Sequence, residues 1–224
     1  MIGTRPDGGR LALFDLDWTL LDLGAAFVRW AGEFAERHRL PEGAVERLVE
    51  LNAAAHPDRG RFFAEARRAF GVRESVAELT RGFHRRIPRL ADPYPGVPEA
   101  LTGLREAGWR VGIVTNGPAQ RQLTKLRRTG LDRLVDGYAI SGAEGVRKPE
   151  VELFAIAARR CGAELGAGGW MTGDNLTADI AGARAAGLRG IWIDHGTWPG
   201  QEHGADHVVG NVLDGIAILA ATRH

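Results

Sequence analysis

The chain has 224 residues, of which 44% are apolar and 25% charged, and its formal net charge is +1. This is the balance of an ordinary folded protein, and it speaks against a dedicated nucleic-acid or membrane-surface binder. No apolar stretch approaches the length that spans a bilayer. Met1–Arg10 lacks the apolar core of a secretory leader, and the single cysteine, Cys161, can form neither an internal disulfide nor a Cys-type zinc site, so a reducing cytoplasm is the expected compartment.

In chain order, Leu11–Phe14 reads as a short buried strand. It ends in Asp15 and Asp17, two carboxylates where burial makes charge costly unless it is paired or bound to metal; a helix N-cap is the bland alternative. From about Leu23 to Leu90 no strand pattern appears. Phe27, Trp30, Ala31, Phe34 and Ala35 fall at helical spacing, as do Val45, Leu48, Val49 and Asn52, then Phe62, Phe63, Ala66, Ala69 and Phe70, then Leu79, Phe83 and Ile87. This predicts a small helical bundle inserted after the first strand, with Asp92–Gly96 as the return linker.

Beyond Val97 short apolar runs alternate with amphipathic segments. The pattern predicts helices at Pro98–Ala107, Gln120–Arg128, Val151–Arg160, Thr177–Ala186 and Val212–Thr222. Strands fall at Val111–Thr115, Tyr138–Ile140, Trp170–Thr172 and Ile191–Ile193, with Val208–Val209 as one more. The expected fold class is α/β: a doubly wound, Rossmann-like parallel sheet with helices on both faces. The expected division is a core of residues 1–21 and 93–224 and a helical insert of residues 22–92.

In such sheets ligands bind beyond the carboxyl ends of the strands. Asp15 and Asp17 follow the first strand, Thr115 and Asn116 the second, and Gly173, Asp174 and Asn175 the Trp170 strand, with Asp179 five residues past Asp174. Lys148–Pro149 precedes the helix at Val151. Carboxylates from separate strands suit a hard, oxygen-loving cation such as Mg²⁺. Hydroxyl, amide, ammonium and helix N-termini suit phosphate oxygens. One carboxylate can attack phosphorus while a second protonates the leaving oxygen and then activates water. Of the 29 basic residues only Lys125 and Lys148 are lysine, so a compact ammonium is available at two positions alone.

The succession Asp15-Leu-Asp17-Trp-Thr19, Thr115-Asn116, Lys148-Pro149 and Gly173-Asp174-Asn175-(x3)-Asp179 resembles the four motifs of the haloacid dehalogenase-like hydrolase superfamily, with the insert in the place of its C1-type cap. The resemblance implies Asp15 as nucleophile, Asp17 as general acid/base and Thr19 as a support of the first loop. It implies Thr115 and Asn116 as phosphate binders and Lys148 as the balancing cation. A Mg²⁺ ion is implied on Asp15, Asp174 and the Asp17 carbonyl, with Asp179 and Asn175 supporting it. Asp17 argues against a dehalogenase, whose carbon–halogen bond needs no proton on the leaving group. The lysine-free insert argues against Schiff-base phosphonate cleavage. A phosphatase of small phosphorylated metabolites is expected, with a sugar phosphomutase as runner-up. An inactive binding or signalling member is the rival of another class; the shorter receiver domains lack such an insert. No nucleic-acid or membrane partner is expected, and the chain is expected to be a monomer or homodimer.

The cap should choose the substrate. Its arginines read as a solvated face, with Arg59 or Arg61 as candidates for a contact to an anionic distal group. His195, His203 and His207 read as a loop rim rather than a metal site. Cys161 reads as a buried inert thiol, Trp192 as core and Trp198 as a loop anchor. Trp18 stands where many family members carry Gly or Asn. It reads as a packing residue, or else as a wall on the leaving-group side.

Overall fold

The computed structural model describes residues 10–198 and 200–222. Residues 1–9, most of the stretch expected to lack a leader, lie outside the described residues. The chain divides into two compact units: one runs up to Leu21 and resumes at Pro93, the other is Asp22–Asp92. Leu21–Asp22 and Asp92–Pro93, where the chain passes from one unit to the other, pair as a two-stranded ribbon.

The first unit is a six-stranded parallel sheet. Its strands are β1 (Leu11–Phe14), β2 (Arg110–Thr115), β3 (Gly137–Ile140), β4 (Trp170–Gly173), β5 (Arg189–Ile193) and β6 (His207–Val209), in the order β3-β2-β1-β4-β5-β6. Every residue of β1 is fully buried, as a central strand covered on both faces requires. From β1 the chain builds outward through β2 and β3, then returns to the other side for β4, β5 and β6. The direction of winding reverses at β1, which places the crevice of a doubly wound sheet at the end of that strand. Phe14 lies opposite Ile113 of β2 and Thr172 of β4, so the next residue, Asp15, emerges between both neighbours.

Helices cover the sheet because its strands are apolar on both sides. Helix α7 (Val151–Arg160) buries Leu153, Phe154, Ala157 and Ala158 in a cluster with Leu11, Leu13, Val114, Ala139 and Met171. Helices α5 (Val97–Glu106) and α8 (Val212–Ala221) pack on each other, α5 reaching β2 and α8 reaching β5 and β6. Between β2 and β3 runs α6 (Ala119–Thr129). One expected helix differs. Thr177–Ala186 is a π-helical turn, Leu176–Ala181, followed by a short α-helix, Gly182–Ala185. The wider turn starts where the Asn175 side chain accepts from Thr177 N and Ala178 N, at 3.1 and 2.8 Å; such insertions concentrate at functional positions.

The second unit contains α1 (Leu23–His38), α2 (Ala44–Ala55), α3 (Arg59–Phe70) and α4 (Val76–Leu90). Their starts are capped by Asp22 on Ala25 N, Asp58 on Arg61 N, and a reciprocal Ser75–Glu78 pair, which satisfies donors a helix leaves open. Phe27, Trp30, Phe34, Phe62, Phe63 and Phe83 form its core; the Trp30 ring lies 5.0 Å from Phe83 and 5.7 Å from Phe63, both edge-on. On α2 the buried stripe is Ala44, Leu48, Leu51 and Ala55, and Val49 is exposed. The expected stripe of Val45, Leu48, Val49 and Asn52 is off by part of a turn: only Leu48 is common to both, and Leu51 with the two alanines takes the places assigned to the valines and Asn52.

Candidate active site

Asp15 sits at the end of β1, nearly inaccessible, with its amide donating to Thr172 O at 2.9 Å. The loop behind it is closed by backbone: Leu20 N and Leu21 N both donate to Leu16 O at 3.0 Å, and Trp18 N to Leu21 O at 3.1 Å. To make this turn Trp18 adopts φ 62°, in the left-handed region, which favours Gly and Asn. Thr19, expected to steady the loop, is fully buried, its hydroxyl without a hydrogen-bond partner among the described residues.

Lys148, from the loop ahead of α7, is buried. Its Nζ hydrogen-bonds Asp15 Oδ1 and, at 2.7 Å, Asp179 Oδ1. Asp179, on the π-turn, also accepts from Asn175 N at 3.0 Å. Asn116, at the end of β2, fixes the Lys148 loop reciprocally: its Nδ2 donates to Lys148 O at 3.0 Å and its Oδ1 accepts from Lys148 N at 2.9 Å. The Asn116 side chain thus braces the lysine. Thr115 Oγ1 accepts from Gln122 Nε2 at 2.6 Å.

Asp15, Asp174 and Asp179 bring one carboxylate oxygen each within 4.8 Å of the others. Three acids share one ammonium, which leaves excess negative charge in a poorly solvated place. Burial, and then repulsion from Asp179, raises the Asp174 carboxyl from 3.8 to about 6. Burial raises Asp15 as well, against the pull of Lys148 and reinforced by the other three aspartates. For Lys148, Asp15 and Asp179 outweigh burial and hold the ammonium charged. The donor set and its charge fit a hard divalent cation, which would lower both raised carboxyls.

The Asp17 carboxylate does not join this cluster. It is turned toward α6, where it accepts from Lys125 Nζ on both oxygens at 2.7 Å and from Gln122 Nε2 at 3.1 Å. Sequence reasoning assigned no role to either α6 residue. The signal was present in the scarcity of lysine, since both lysines of the chain turn out to be buried against motif aspartates. Also missed were Trp192, whose Nε1 donates to Asp174 O at 3.1 Å, and His195, whose Nε2 bonds Trp18 O at 2.8 Å.

Trp18 is 37% exposed rather than core. It meets His195 edge-on and lines, with Tyr94, His195 and Leu213, a cavity of about 370 Å³. The three histidines diverge, His203 onto Trp192 and His207 onto Trp170. Trp192 is buried and Trp198 packs against it. Cys161 is buried and its thiol is pushed up to about 12, chiefly by burial. In the helical unit Arg59 hydrogen-bonds Asn52 and lies 4.7 Å over the Phe83 ring, while Arg61 pairs with Glu65 at the surface. No helix among the described residues is long and apolar enough to cross a membrane.

A parallel sheet with its winding reversal at a buried Asp–Lys–Asp cluster is the architecture of an α/β hydrolase. The chain belongs to the haloacid dehalogenase-like hydrolases, whose family model matches residues 10–187. It is 38% identical over 156 residues to a phosphoserine phosphatase of Thermus thermophilus, covering 68% of this chain and 61% of that protein. It is 31% identical over 196 residues to a glyceraldehyde 3-phosphate phosphatase of Pyrococcus abyssi, covering 84% and 82%. The crystal structure of a phosphatase of the same superfamily from Thermococcus onnurineus superposes with a TM-score of 0.61 at 25% identity, over 96% of this chain and all of that one.

Proposed function

We propose that this chain is a Mg²⁺-dependent phosphatase of small phosphorylated metabolites that works through an aspartyl-phosphate on Asp15. The observation that carries the reading is Asp15 itself: a buried carboxylate at the winding reversal, held by Lys148 and grouped with Asp174 and Asp179. Asp15 attacks phosphorus and the ester P–O bond breaks. The leaving oxygen takes a proton from the Asp17 carboxyl and departs as an alcohol. Asp17, now ionised, accepts a proton from the water that attacks the acyl-phosphate, which frees Asp15 and inorganic phosphate. Lys148 offsets charge on the nucleophile and the transferred group, and Thr115 and Asn116 bound the phosphate position from β2. Asp15, Asp174 and the Asp17 carbonyl would hold the cation, which when bound neutralises charge on the phosphoryl oxygens; Asp179 and Asn175 support them.

The relatives named above act on small organic phosphates, which supports the substrate class. Asp17 supports hydrolysis over dehalogenation, because only the former needs a proton on the leaving group. Residues 22–92 serve as the substrate-selecting cap, with Arg59 or Arg61 meeting an anionic distal group. The near-neutral charge speaks against nucleic-acid or membrane partners, and the single cysteine fits a cytoplasmic enzyme, monomeric or homodimeric. The test is phosphate release over a panel of metabolites with and without Mg²⁺. The reading requires Mg²⁺-dependent turnover that Asp15→Asn abolishes; an Asp15→Asn variant with full activity rejects it.

A further inference from the structure

We propose that Lys125 and Gln122 of α6 are positioning residues that keep the Asp17 carboxylate out of the acidic cluster and available as the acid/base. This rests on the phosphatase reading above and names residues that reading does not use.

A fourth carboxylate close to this cluster would be drawn toward a cation bound there. Asp17 lies two residues past Asp15, and the site already collects three acids around one ammonium. A cation held by that group would draw in any further free carboxylate, and a carboxylate that ligates a divalent cation loses more of its basicity than one hydrogen-bonded to an ammonium. Something must therefore compete for Asp17. The structure shows the competitor: an ammonium that binds both Asp17 oxygens, and an amide that binds one of them.

The clamp is built rather than incidental. Lys125 and Gln122 are buried, at 5% and 2% exposure. Lys125 Nζ also donates to Gln122 Oε1 at 2.7 Å, and Gln122 Nε2 to Thr115 Oγ1 at 2.6 Å. Each polar group thus orients the next, from the end of β2 through α6 to Asp17. The two residues are three apart on α6, so they share one helix face. A surface lysine contributes little through an ion pair, and an arginine-biased chain has no general use for lysine. A buried one bonded on three sides is fixed in a single pose, with the hydrogen bonds of a charged donor.

The clamp therefore acts on both proton transfers at Asp17, the one to the departing oxygen and the one from the attacking water. Alkyl phosphates need the first, whereas p-nitrophenyl phosphate expels a stabilised phenolate without it; both need the second. For Lys125→Met, kcat on an alkyl monophosphate turned over by the wild type should fall about tenfold or more. On p-nitrophenyl phosphate the steady state should slow too, but only after a rapid burst of p-nitrophenolate of about one equivalent per enzyme, because loss of that leaving group needs no proton while hydrolysis of the phospho-enzyme does. Gln122→Leu keeps both ammonium contacts and should show the same pattern with a smaller loss; it carries the test if Lys125→Met does not fold. A slowed p-nitrophenyl phosphate reaction without a burst, or no loss on either substrate, overturns the proposal, because a structural lysine would slow the phosphorylation of Asp15 as well. A wild type that hydrolyses neither substrate instead removes the phosphatase reading and this inference with it.

Discussion

Lys148 Nζ donates to Asp179 Oδ1 at 2.7 Å while also holding Asp15. One ammonium thus ties the β1 carboxylate to the π-turn beyond β4, and its removal should cost both activity and stability. Lys148→Met leaves two buried carboxylates without a counter-charge, a change that typically destabilises by about 3 kcal/mol or more. Loss of a charge-balancing donor at the reacting group should lower kcat by about 10²-fold or more. Urea unfolding and steady-state kinetics measure the two effects. Excess Mg²⁺ should restore part of the stability but not the rate, because a cation can balance charge without replacing the lysine's position.

Gly173 makes room for that arrangement. A Cβ on Gly173 would lie 2.7 Å from the Asp179 Cβ and closer still to its carboxylate. Gly173→Ala must therefore displace Asp179 from Lys148 and from Asn175 N. The expected result is a fold destabilised by about 1–3 kcal/mol through overpacking and a markedly weaker Mg²⁺ activation constant. An alanine variant that binds and uses Mg²⁺ as the wild type does would show that Asp179 does not support the cation site.

The raised Asp174 carboxyl gives a pH signature. Its folded pKa, about 6, lies above its unfolded value near 3.8, so the folded state binds the extra proton. Without cation the contribution is therefore favourable at the acid end and is lost as pH rises from about 4 to 6. Asp15 shifts in the same direction for the same reason, burial. A divalent cation binds the ionised carboxylates and reverses the penalty. The rise in Tm on adding Mg²⁺ should thus be small at pH 5 and larger at pH 7.5. An equal rise at both pH values would mean that Asp174 and Asp15 are not what the cation binds.

The sheet and its strand-end residues were legible because fully buried parallel strands are continuous apolar runs, and because the polar residues that end them sit in short, recognisable groups. What sequence could not show was which partner each carboxylate takes. Asp17 and Lys125 are 108 positions apart, and only the register of β1 beside β2 brings α6 over the first loop. The π-turn was invisible for a similar reason: Asn175 reads as an ordinary cap, and its effect on the following turn depends on Asp179 being drawn to Lys148. On α2 the apolar pattern misled, since burial followed Ala44, Leu48, Leu51 and Ala55 rather than the valines.

Trp18 gives the sharpest local test, because its backbone and its side chain have separable consequences. At φ 62° the backbone imposes a cost of roughly 1–2 kcal/mol on a residue with a Cβ, and a β-branched residue tolerates the region least. Asn tolerates it best after Gly, which accounts for the residues common at this position in the resembling family. The indole contributes its edge contact to His195, with ring centroids 6.4 Å apart, while the His195 bond goes to the Trp18 carbonyl and survives any substitution. Trp18→Asn and Trp18→Val both delete the indole and differ in the left-handed preference. Trp18→Asn should match the wild type within about 0.5 kcal/mol, the usual range of a surface change. Trp18→Val should be less stable than Trp18→Asn by about 1 kcal/mol or more and should lose activity in proportion, since Asp15 and Asp17 precede the strained residue on the same loop. Chemical denaturation of the pair, with kcat measured alongside, decides it. If Trp18→Val and Trp18→Asn are equally stable, the loop does not hold that conformation in solution.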